Sequence, residues 1–161
     1  MRKQVTGQTG SIPSQAKEGE NWLDLEALAQ VEVSSEAPGY GIENALVPGS
    51  TRPWQAATPG EAHITLRFDA PQQIERIRLH FVDAEHERSQ EWAVSAHFAD
   101  GSRRELVRQG WNFSPGGSTE QAEEYALGLK QVTALSLWID GDRGRNRYPA
   151  TLTTWRVGAT G

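Results

Sequence analysis

From residue 31 onward the apolar positions of this chain fall on every second residue. Val31 and Val33 alternate with Glu32 and Ser34, giving a first strand at about 31–35. AHITLRF sets Ile64, Leu66 and Phe68 on one side and His63, Thr65 and Arg67 on the other. RIRLHF repeats this with Ile77, Leu79 and Phe81 against Arg78 and His80. EWAVSAHF sets Trp92, Val94, Ala96 and Phe98 against Ala93, Ser95 and His97. Residues 103–111, 123–129, 134–140 and 151–157 continue the pattern, with Tyr125, Leu127 and Leu129, then Leu135, Leu137 and Ile139, on one side. A period of two places alternate side chains on opposite faces of a strand. These eight segments, with no long helical pattern between them, predict an all-β fold: an antiparallel, eight-stranded jelly-roll β-sandwich. Short helical turns are expected within 22–30 and 42–46. Residues 1–21 are polar, rich in Gly, Ser and Gln, and without periodicity, so they read as a flexible lead-in to a single domain over 22–161.

Strand alternation also sorts the connections. If each strand reverses direction, every second connection lies at the same end. The short ones are 70–73 (APQQ), 100–102 (DGS) and 130–133 (KQVT). The long ones, at about 36–61, 83–90, 112–122 and 141–150, hold Arg52, Trp54, His86, Arg88, Asn112, Arg143, Arg145, Arg147 and Tyr148, with Trp111 at the end of its strand. One end is thus predicted to be plain and the other rich in aromatic and hydrogen-bonding groups, where function usually sits.

Composition narrows the classes. The 161 residues suit one domain that buries its own core. With no cysteine, disulfides, thiolate metal sites and a cysteine nucleophile are excluded. A net charge of −5 argues against a nucleic-acid binder. No apolar run approaches the ~20 residues of a membrane span, and the N-terminus lacks the apolar region of a signal peptide. The chain carries no nucleophile elbow, phosphate loop, dinucleotide fingerprint or HExxH, and no carboxylate pair stands out for catalysis. The expectation is a protein that is not an enzyme.

The stretch VEVSSEAPGYGIENALVPGSTRPWQAATPGEAHITL contains Ser34–Ser35, then Asn44–Leu46, the Gly-containing loop Pro48–Ser50, Trp54, and the strand Ile64–Phe68. Asp69–Pro71 and IERIRLHF follow. In this order the parts resemble the opening of discoidin domains, the coagulation factor 5/8 C-type or galactose-binding-like family, across roughly residues 22–158. Trp-Gln-Ala at 54–56 and Pro-Gly-Glu at 59–61 are also similar to the N-terminal domain of the X-ray-repair scaffold protein, which shares that fold. The resemblance implies a non-catalytic jelly roll that binds sugars, phospholipid head groups, proteins or damaged-DNA partners through loops at one end. It also implies a structural calcium site in many sugar-binding members, built with an Asp in the loop before the Trp and a Glu near the C-terminus. Here Val47 and Pro48 occupy the loop position, and LTTWRV has no Glu, so calcium is not favoured and no cofactor is expected. The outer cysteine pair of extracellular members is missing too, which tilts the compartment toward the cytoplasm.

Each candidate chemistry stands beside a plainer role. Sugars need an aromatic face and multidentate donors and acceptors. Trp111 and Trp54 can offer the face, while Arg88, Asn112, His86 and Arg52 can orient hydroxyls. Arg143, Arg145 or Arg147 can meet an anionic substituent, with Tyr148 beside them. The plainer readings are a loop salt bridge from Arg88 to Glu85, Glu87 or Glu91, a supporting aromatic at Trp111, and Trp54 packed under its loop. For DRGRNRYP the plainer reading is a solvated loop offset by Asp140 and Asp142. His80, Asp83, His86 and Glu87 lack the spacing of a metal site. The function expected is carbohydrate binding through the loop end. The alternative is a protein-interaction or assembly domain, for which Trp138, pointing outward on strand 134–140, is the hint.

Overall fold

The computed structural model describes residues 1–5 and 22–159. The strands are β1 (Arg2–Val5), β2 (Ala29–Val33), β3 (Trp54–Gln55), β4 (Glu61–Val82), β5 (Arg88–Phe98), β6 (Arg103–Phe113), β7 (Glu120–Asp140), β8 (Thr151–Leu152) and β9 (Thr154–Gly158). Two single-turn helices, α1 (Leu25–Leu28) and α2 (Glu43–Leu46), fall where the pattern predicts them.

The predicted strand segments are present, but two pairs are continuous. β4 runs through 70–73 and β7 through 130–133. The two pair antiparallel along their length, and the register shifts between Arg67 and Arg76. Pro71, which has no N–H to give a ladder, lies in this irregular stretch, and Gln131 opposite takes a positive φ of 55°. The bend divides the pair between two layers. One layer has the order β1-β2-β4-β7-β5-β6, using the first part of β4 and the last part of β7. The other joins the remaining halves, with β9 beside β4. Ile64, Leu66, Leu135 and Leu137 from the first layer and Ile77, Leu79, Phe81, Trp155 and Val157 from the second form one buried core. Trp92 crosses between the layers, its ring centroid 5.4 Å from that of Phe81. Segment 151–157 is broken at Thr153, so β8 pairs with β3 while β9 pairs with β4.

One correction concerns the N-terminus. Residues 2–5 are a strand, not a flexible lead-in: β1 pairs in parallel with β2, and Val5 is buried. Lys3 ties it down, with its side chain 2% exposed and its ammonium on the carboxylates of Glu36 and Glu43. The rest of the expected lead-in, residues 6–21, lies outside the described residues.

The path of β4 to β7 puts the long connections together. β4 leaves one end at Glu61, bends, and returns to it at Val82; β5 and β6 go out and back, and β7 repeats the course of β4 in reverse. Segments 34–60, 83–87, 114–119 and 141–150 therefore meet at one end. Backbone bonds link them: Asp83 N–H to Thr119 O (2.9 Å), Arg143 N–H to Ser89 O (2.7 Å) and Ala56 N–H to Ala150 O (3.0 Å).

Candidate functional site

Beside this loop end, where the edge strand β6 meets β5, lies an open cleft of about 480 Å³. Trp111, Asn112, Gly110, Ser89, Glu91 and Arg143 line it, with Gln90 and Ser118. Ladder register explains the opening. Gly110 stands opposite Glu91 and brings no side chain, while Asn112 stands opposite Ser89. The Ser89 hydroxyl donates to Asn112 Oδ1 at 2.8 Å. Glu91 is held between two guanidiniums, Arg143 at 2.7 Å and Arg108 at 3.1 Å. Trp111 Nε1 and Gln90 Nε2 are buried donors with no partner. The cleft therefore combines Trp111, which also packs against the core, with two primary amides, hydroxyls and one ion pair.

Under the cleft the loops are held by a buried cation. The Arg88 side chain is 0% exposed. Its Nε donates to Asp83 Oδ2 at 2.7 Å, Nη1 to Gln90 Oε1 (2.8 Å) and Gly141 O (2.9 Å), and Nη2 to Thr151 Oγ1 (2.8 Å). The guanidinium also lies 4.6 Å over the Phe113 ring. Burial pulls the Arg88 guanidinium below its ordinary value, while Asp83 opposes the change. Burial alone would raise the Asp83 carboxyl, but the bonds from Arg88 and the Glu85 N–H outweigh it and hold it below the usual carboxylate range. Asp142 does the same for loop 141–150. It accepts from Arg147 Nε (2.8 Å) and from the Ser89 and Arg147 amides (both 3.2 Å), and these bonds outweigh burial to keep its carboxyl low.

Several expected ligand contacts are thus interior groups. Arg88 is buried, and its ion partner is Asp83 rather than Glu85, Glu87 or Glu91, because it begins β5 on the inward parity of Gln90 and Trp92. Trp54 is 0% exposed and donates from Nε1 to Ser35 O at 3.0 Å, so it offers no face to a ligand. His86 is half-buried, bonded to Asp83 at 3.1 Å and stacked on Tyr148 with centroids 4.3 Å apart; Tyr148 also carries the Arg147 guanidinium 5.3 Å over its ring. Arg147 ties its loop to Asp142 and Glu87 O. Arg145 is exposed on that loop, and Arg52 is exposed with its guanidinium 5.6 Å over Tyr40. Trp111, Asn112 and Arg143 are the expected residues that share the cleft. Ser89, Gln90, Glu91, Gly110 and Ser118 were missed. A glycine inside a strand was the available signal, since it marks a place where nothing fills the surface.

Trp138 faces outward as its parity predicts, but it is half-buried. Arg108 lies 5.1 Å over its ring, and its Nε1 donates to the Glu61 carboxylate. That face therefore does not present a bare indole.

The residues do not fit the calcium that the fold family implies. In β9 the charged residue is Arg156, which is 7% exposed and whose Nη1 donates to Ala45 O at 2.8 Å. A cation already sits on a carbonyl at the end of α2. Among the described residues no group of three or more His, Cys, Asp or Glu side chains is placed to share a metal ion.

Comparison with known proteins agrees with this architecture. Residues 25–86 match the family described as the XRCC1 N terminal domain. No curated protein matches the chain. Among solved structures, CBM32-3 from a family 31 glycoside hydrolase of Clostridium perfringens superposes with a TM-score of 0.64 at 14% identity, over 90% of this chain and 100% of that one. A pectin binding carbohydrate binding module gives 0.60 at 18% identity, over 83% and 92%. CBM32 of AlyQ, in complex with 4,5-unsaturated mannuronic acid, gives 0.59 at 14% identity, over 83% and 96%. The fold is the galactose-binding-like, discoidin-type jelly roll.

Proposed function

We propose that this galactose-binding-like domain is a non-catalytic carbohydrate-binding module whose ligand enters the cleft beside Trp111, Asn112 and Arg143. The observation that carries the reading is that cleft, a recess at the loop end lined by hydroxyl, amide, aromatic and guanidinium groups. A pyranose presents C–H faces and hydroxyls at once, and such a mixed lining meets both. The solved structures named above are themselves carbohydrate-binding modules, which supports the same class. The neighbouring carboxylates support a binding rather than a catalytic role. Glu91 is paired with two arginines, and Asp83 and Asp142 are held low by theirs. A general acid working near neutral pH needs the opposite shift.

The test is a glycan-array screen of the intact chain, followed by calorimetry with the best glycan on Asn112→Ala and Arg143→Ala proteins. Both side chains are exposed, so folding is retained. Each substitution weakens binding by roughly 3- to 10-fold, the scale of one or two hydrogen bonds, with an unchanged melting temperature. An array with no bound glycan, or a glycan whose affinity ignores both substitutions, overturns the reading.

A further inference from the structure

The mismatch with calcium has a structural content of its own. α2 has only four residues, so most of its carbonyls find no partner within the helix. Ala45 O, in its last turn, takes the guanidinium of Arg156, which reaches it from β9 and also bonds Trp155 O at 3.2 Å. Elsewhere in this fold family the resemblance implies that a glutamate in this strand and an aspartate in the following loop hold a divalent cation. Here Val47 and Pro48 bring no charge, and the strand carries the positive charge itself.

The space around Arg156 points the same way. The cavity it lines holds only about 20 Å³, with Asp24, Glu26, Leu46, Val47 and Pro48 around it. That is room for one water, not for an ion that gathers six to eight oxygens. Two carboxylate residues, Asp24 and Glu26, share the cavity, and Glu26 Oε1 is buried with no hydrogen-bond partner. Two acidic residues thus share the cavity with a cationic side chain fixed to the chain.

We propose that Arg156 is a built-in replacement for the calcium ion: its guanidinium ties α2 and the following loop, 47–53, to β9, so that this end of the domain is assembled without a metal. The loop so anchored carries Arg52 and delivers Trp54 into the core. The inference does not depend on the nature of the ligand.

The experiment uses the whole chain and calcium alone as probe. Thermal unfolding is followed by tryptophan fluorescence in EDTA and in millimolar calcium, with calorimetric titration of calcium beside it. The expected melts coincide, and the titration gives no binding heat. Arg156→Met melts about 5–10 °C lower in both buffers, because a buried charged donor is lost and an acceptor is left unmet. Arg156→Glu is lower still in both buffers, since it sets a third carboxylate beside Asp24 and Glu26 in a cavity too small for a calcium ion and its oxygens. Three results overturn the proposal: a parent protein stabilised by several degrees in calcium, an Arg156→Met protein that melts like the parent, or an Arg156→Glu protein that melts no lower than Arg156→Met. If the variants do not fold, the parent's response to calcium and EDTA still decides it.

Discussion

Replacing Arg88 by Met separates an interior clamp from a ligand contact. The substitution keeps an unbranched apolar stem and removes four hydrogen bonds from a side chain that is 0% exposed. What it leaves behind matters more than what it takes away. Asp83, 9% exposed, keeps its negative charge without its cation, and Gly141 O, Gln90 Oε1 and Thr151 Oγ1 lose their donor. Breaking a buried pair by removing one partner costs about 3–5 kcal/mol. A domain of this size melts about 2–4 °C lower per kcal/mol, so the expected drop is about 6–20 °C. Urea denaturation followed by tryptophan fluorescence gives the free energy directly. Adding Asp83→Asn removes the stranded charge while keeping an acceptor for the Glu85 and His86 amides, which bond to Asp83 Oδ1. The double variant is therefore about 1–2 kcal/mol more stable than Arg88→Met alone. A loss below about 1 kcal/mol for Arg88→Met, or a double variant no better than the single, would refute this account of the loop end.

Two further outcomes rest on the same end of the molecule. Gly141→Ala places a Cβ 2.3 Å from Ala150 N and 2.5 Å from Pro149 C, so backbone must move; a loss of about 1–3 kcal/mol in urea denaturation is expected, with loop 141–150 the first region to exchange amide hydrogens. The Asp83 and Asp142 carboxyls titrate lower in the fold than in the unfolded chain, so their stabilisation is complete above the unfolded value of about 4 and is lost as pH falls through the folded values. Denaturation curves from pH 7 to pH 2 should show stability falling below about pH 4–5, and Asp142→Asn should flatten that fall.

Period-two patterning was enough to place the strands of both layers except β1, their inward faces and the end at which the long connections gather. That is because alternation is a local property of extended backbone, and antiparallel reversal sorts loops by parity. It also set Trp138 outward, and the separate helical turn expected within 42–46 is α2. The sequence could not show that β4 and β7 run unbroken through their bends, since pairing partners far apart in the chain decide whether a turn or an irregular stretch forms. The residue types of Arg88 and Trp54 suit ligand contact as well as a salt bridge and packing under the loop, and type alone does not separate the two. Arg88 shares the parity of Gln90 and Trp92, but whether an inward arginine is tolerated depends on Asp83, Gly141 and Thr151 converging from three segments. Arg156 sits between the buried Trp155 and Val157 and is itself buried. Its burial goes with α2 packing against β9 and offering Ala45 O. Local pattern thus determined which way side chains point, and only the tertiary structure decided which polar ones find enough partners to stay inside.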